Sequence, residues 1–150
     1  MYFLIKKGSH KDFKFPRVTF SKSVSGTFSF VNDPMYLIDK QKDTNKLIGL
    51  SDGIHHHRNS IRIGWRWNEK ENQLELMCIR YINGNRIIEP LRFVDEYSSH
   101  KFKIEIKEKE YIITIDDYVP YKFYRGSIWS FIRYYLFPFF GGTTKAPKDF

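Results

Sequence analysis

The sequence predicts an all-β protein: an antiparallel sandwich of two packed sheets, jelly-roll or lectin-like, with about nine to eleven strands. Three observations predict it. Alanine, the best helix former, occurs once in 150 residues, whereas Phe supplies 14 and Tyr 10. Aromatic and β-branched side chains suit a half-buried pleated surface. Apolar and polar residues alternate through several segments, and turn residues separate these segments at short intervals.

The first candidate strands are Tyr2–Ile5, Phe13–Phe20, Gly26–Val31 and Lys46–Leu50, each short and rich in aromatic or aliphatic residues. Ile61–Trp67 and Leu74–Ile82 follow, joined by the polar loop Asn68-Glu69-Lys70-Glu71-Asn72. Asn83-Gly84 then separates Leu74–Ile82 from Arg86–Val94. Asn-Gly supplies the positive φ angles of a two-residue hairpin turn. The strictest alternation is in Lys101–Lys107, which places Phe102, Ile104 and Ile106 on a core face and the charges in water. A turn near Glu108-Lys109 leads to its hairpin partner, Tyr111–Ile115. Tyr118–Tyr124 and Ile132–Phe137 complete the set. Ile128, Phe131, Ile132 and Tyr135 also stand at helical spacing, which leaves a helical turn open at the start of Ser127–Tyr135. The order is dominated by hairpins, with no internal repeat or linker, so residues 1–150 read as one soluble domain; a closed barrel is the second choice of architecture.

Composition excludes several classes. The one cysteine, Cys78, permits no internal disulfide and no cysteine-based metal site. The short apolar run before Lys6-Lys7 does not read as a signal peptide. The longest apolar stretch, Ile128 to Phe140, contains Arg133 and Pro138 and is too short to span a bilayer. These features lead to an expectation of a cytoplasmic or virion-associated protein. The net charge is +8, which favours a glycan or an acidic surface as partner. No Lys/Arg run exceeds two residues. The clustered basic stripe of a nucleic-acid binder is missing, which argues against that role.

The most unusual segment is Ser51-Asp52-Gly53-Ile54-His55-His56-His57-Arg58-Asn59-Ser60. Were it extended, His55 and His57 would point one way and His56 the other. That pair is the candidate metal site, and a third ligand would have to come from elsewhere, such as His10 or His100. In Ile61–Trp67, one face carries Ile61, Ile63, Trp65 and Trp67, and the other Arg62, Gly64 and Arg66. Strand periodicity assigns the tryptophan face to the core. The arginine face is the candidate recognition surface, with Arg80 expected beside it across the hairpin. Guanidinium groups offer forked donors to carboxylates, phosphates and sugar hydroxyls, and Gly64 would let a ligand approach closely. The expected ligand-binding set is therefore His55, His57, Asn59, Arg62, Arg66 and Arg80.

Catalysis has little support. There is no Gly-x-Ser-x-Gly elbow, and Cys78 lies in an apolar strand where thiols are inert. Asp116-Asp117 reads as a turn, and no cofactor motif is present. Whether the protein is an enzyme is left open, with the balance against it.

His56-His57, Asn59-Ser60, Arg62 and Gly64-Trp65-Arg66, together with Pro138-Phe139-Phe140-Gly141-Gly142 and Ala146-Pro147, resemble segments of small β-sandwich proteins of bacteriophage and Bacteroidetes-type genomes. Some of these lie near polysaccharide-degrading enzymes. The resemblance implies a concanavalin-like or galectin-like sandwich and a viral origin, and it carries no activity. Where that pattern has a histidine after Ala-Pro, this chain has Lys148.

Three functions are thus expected in descending order. The first is a non-catalytic module that recognises glycan on the Arg62/Arg66 face. The second is a structural virion or assembly subunit, a homo-oligomer packed through its aromatic terminal segments. The third is a metal-dependent enzyme that uses His55 and His57.

Overall fold

The computed structural model describes residues 3–12, 17–36, 44–126, 130–142 and 144–150, and among these there are ten strands and no helix. They are β1 (Val18–Thr19), β2 (Ser23–Phe28), β3 (Asn45–Ser51), β4 (Ser60–Asn68) and β5 (Gln73–Ile82), followed by β6 (Asn85–Val94), β7 (His100–Ile106), β8 (Glu110–Ile115), β9 (Tyr121–Tyr124) and β10 (Arg133–Leu136). All pair antiparallel in two sheets, one ordered β1-β10-β3-β4-β5-β6 and the other β2-β7-β8-β9. The expected two-sheet sandwich is the observed architecture.

Local chemistry accounts for the hairpins. Asn83 (φ 52°) and Gly84 (φ 87°) both take the left-handed conformation that a two-residue turn between β5 and β6 requires. Asp116 (φ 50°) and Asp117 (φ 59°) do the same after β8, so the paired aspartates form a turn as expected. The expected strand at Tyr2–Ile5 is not one in its described residues, although Ile5 exchanges two backbone hydrogen bonds with Phe150. Of the expected Phe13–Phe20 strand, residues 13–16 lie outside the described residues and only Val18–Thr19 is strand. Residues 127–129, where a helical turn was left open, also lie outside them.

The core lies between the sheets. Ile61, Ile63, Trp65 and Trp67 of β4 meet Phe102, Ile104 and Ile106 of β7 and Tyr111, Ile113 and Ile115 of β8 in one buried cluster. At about 1.5–3 kcal/mol for each large apolar side chain buried, this layer is the main source of stability. β5 is buried over both faces from Leu74 to Arg80, and its outward-facing Met77 and Ile79 are as well covered as its inward residues. The C-terminal segment belongs to the same fold. Phe140 is fully buried, and Phe150 stacks on it at 4.9 Å and meets Trp65 edge-on at 5.4 Å. The aromatic tail expected as an arm for a neighbouring subunit is packed into its own core.

One buried polar cluster interrupts the apolar layer. The Asp52 carboxylate, just past β3, is fully buried. It accepts two hydrogen bonds from Arg125 (2.6 and 2.9 Å) and one from the Tyr111 hydroxyl (2.9 Å), and Arg133 of β10 lies 3.5 Å away. Burial, followed by the adjacent carboxylate, pushes the Tyr111 phenol well above its ordinary range. Asp52→Asn leaves two buried guanidinium groups without a counter-charge. Removing one partner of a buried ion pair costs about 3–5 kcal/mol. Urea denaturation should show a loss of that size; a loss under ~1 kcal/mol would mean that the carboxylate does not hold the cluster.

Candidate functional site

The histidine triplet is not extended. Gly53 (φ 123°) turns the chain after Asp52, and the His55 carbonyl accepts hydrogen bonds from Arg58 N (2.9 Å) and Asn59 N (3.2 Å). Asp52 N donates to Asn59 O (2.9 Å) and closes the loop at its base, and Ser60 Oγ donates to His56 O (2.7 Å). The loop rests on the β5–β6 turn, where Gly84 N donates to Arg58 O and Asn83 N to Asn59 Oδ1, each at 2.9 Å. The eight residues between β3 and β4 thus form a turning loop where the recognition reading had assumed a straight run. The sorting of His55 and His57 onto one side does not occur.

The turn brings other residues together on the outer face of the six-stranded sheet. His56 and His57 lie 4.1 Å apart, ring centre to ring centre. His57 meets Tyr81 of β5 edge-on at 5.3 Å, and His56 meets Tyr134 of β10 edge-on at 5.9 Å. His56 Nδ1 and the Tyr134 hydroxyl are hydrogen-bonded at 2.6 Å. Arg62 of β4 belongs to the same cluster. Its Nη2 donates to Phe137 O at 3.0 Å, and its stem crosses β3 above Gly49, where an added Cβ would lie 2.5 Å from Arg62 Cγ. The Arg62 Nε is buried and has no hydrogen-bond partner. Among the described residues no carboxylate pairs with Arg62.

Electrostatics follow from this crowding of basic groups. Burial, and then the positive charge of His57, Arg62 and His55, lowers the His56 pKa from 6.5 to about 4, so its imidazole is neutral at pH 7. Burial also lowers Arg62 to about 10.

The other expected residues occupy different places. Asn59 holds the loop, and His55 is exposed. Arg66 shares the outer face but pairs with Glu75 at 2.7 Å, roughly 13 Å along the strand from Arg62. Arg80 is opposite Ile61 in the register, so it points inward. There it pairs with Glu89 and lies 4.8 Å from the Phe123 ring. The space above Gly64 is filled by the chain itself, since an added Cβ would lie 2.6 Å from Ile79 Cδ1 and 2.7 Å from Asn45 O. Among the described residues, no group of three or more His, Cys, Asp or Glu is arranged to hold a metal ion, and none of their helices is long and apolar enough to cross a membrane. Cys78 is buried, and its thiol is pushed up to about 12, first by that burial.

A concavity of about 390 Å³ opens between β2 and β3, walled by Phe28, Phe30, Leu47, Trp65 and Phe102. No ionisable side chain lines it. The titratable groups His56 and Arg62, both shifted first by burial, lie instead in the outer-face cluster. No family model, curated protein or solved structure matches the chain.

Because His56 is held neutral, the unfolded chain takes up a proton there more readily than the folded one between pH 6.5 and 4. Its contribution to stability is complete above pH 6.5 and is lost as the pH falls toward 4. With half-exposure discounted, the loss is about 1–2 kcal/mol. Thermal melts of His56→Gln across this window should show a flatter pH dependence than the wild type. Parallel curves would mean that His56 keeps its ordinary titration.

Proposed function

We propose that the protein is a non-catalytic glycan-binding module whose recognition surface is the His56–His57–Tyr81–Tyr134 cluster around Arg62. One observation carries the reading: rings from a loop, β5 and β10 converge on a guanidinium that no carboxylate of the described chain neutralises. A sugar presents C–H faces that stack on rings and hydroxyls that take planar donors. Rings with one polar edge serve both needs. The site is assembled without a nucleophile or a paired acid and base. Cys78 is buried in the core, Asp52 is enclosed with two arginines, and Asp116 bonds to His100 and Lys101 N. The packing of Phe140 and Phe150 into their own core weighs against the assembly-subunit reading.

A glycan array probed with wild type, His57→Ala, Tyr81→Ala and Arg66→Ala tests the proposal. The first two substitutions should weaken binding about tenfold or more, or ~1.4 kcal/mol, with the fold intact by circular dichroism. Arg66→Ala should leave binding unchanged, because Arg66 is engaged by Glu75 away from the cluster. No glycan bound by the wild type, or equal binding by all four proteins, would remove the assignment.

A further inference from the structure

We infer that the glycan carries a carboxylate, a uronic-acid type of sugar, and that Arg62 is the group that holds it; the inference rests on the recognition reading above. The argument begins with unmet charge. Arg62 is neighboured by His56 from the loop, Tyr81 from β5, Tyr134 from β10 and Gly49 from β3, and none of these is a carboxylic acid. Its backbone acceptor, Phe137 O, takes one N–H of Nη2. Among the described residues the buried Nε has no partner, and Nη1 has none either but is not fully buried. A guanidinium has five N–H donors in a planar fork, and the described residues engage one of them. Leaving such a group half-buried and unpaired costs free energy, and an anion would offset that cost.

The shape of the deficit selects the anion. A carboxylate is planar, singly charged and matched to two adjacent guanidinium N–H groups. A dianionic phosphate would call for several cations, and the imidazole beside Arg62 is neutral at pH 7. The buried acids are engaged elsewhere: Asp52 by Arg125 and Arg133, and Glu75 by Arg66. The Tyr81 and Tyr134 rings then flank the sugar, and a hydroxyl of the ligand meets the Tyr134–His56 pair.

The test uses the whole protein and three probes: a glucuronate-terminated oligosaccharide, the same oligosaccharide with its carboxyl reduced to the alcohol, and sodium sulfate. Calorimetric titration of the wild type should show at least tenfold tighter binding of the acid than of the alcohol. The Arg62 Nε–H resonance should shift on titration with the acid only. Arg62→Gln should abolish the preference, and Arg62→Lys, which keeps the charge but loses the fork, should restore part of it. Equal affinity for acid and alcohol would overturn the carboxylate while leaving glycan recognition standing. Binding of neither sugar would overturn both. Binding of sulfate alone would overturn the carboxylate in favour of a different anion. The wild-type comparison decides the matter even if the Arg62 variants fail to fold.

Discussion

The buried carboxylate of Asp52 organises one whole end of the molecule. Its backbone N–H closes the base of the histidine loop through Asn59 O, and its side chain collects Arg125, Arg133 and Tyr111 from three other parts of the chain. One residue therefore ties the loop on the outer face to the polar cluster between the sheets. A buried ion pair adds little net stability compared with a well-packed apolar replacement, but breaking half of it is expensive. Its effect is to make one arrangement of β3, β8 and β10 much better than its neighbours. The outer-face cluster is tied to the same anchor, because Tyr134, the partner of His56, directly follows Arg133.

Two different surfaces of the six-stranded sheet arise from one rule. Side chains alternate across a strand, so Ile61, Ile63, Trp65 and Trp67 of β4 enter the core while Arg62 and Arg66 face outward. Antiparallel partners share a face, so the pairing of Ile61 with Arg80 carries that arginine inward. It is tolerated there because Glu89 and the Phe123 ring receive it near the sheet margin. The Pro138–Gly142 segment is pinned from both sides. Gly141 N donates to Asn45 Oδ1, Lys46 bonds to Gly141 O, and His10 stacks on Phe139 at 5.1 Å. This fixes Phe137, whose carbonyl is the acceptor for Arg62.

Much of the fold was legible because period-two alternation and turn chemistry are local. Phe102, Ile104 and Ile106 fall on the core face as the pattern requires, and Asn83-Gly84 turns where its φ preferences predict. The site was less legible because its parts are not local. Nothing near Tyr134 shows that β10 lies between β1 and β3. Arg80 was misplaced because its face depends on the register with β4, which a five-residue polar loop does not determine. The histidine loop did carry a signal: Gly53 on one side and Asn59-Ser60 on the other are turn residues. Reading His55–His57 as strand overlooked them.

The distances along the chain have a kinetic meaning. His56 meets Tyr134 across 78 positions, and Arg62 meets Phe137 across 75. Contacts this remote in sequence form late, since the entropy of closing the intervening chain must be overcome first. The hairpins of β4, β5 and β6 can assemble while the cluster is still open on one side. Only insertion of β10 beside β3 completes it. The cluster would then close after most of the strand pairing is in place, so a chain with β10 still unpaired would have much of the sandwich without the His56–Tyr134 and Arg62–Phe137 contacts.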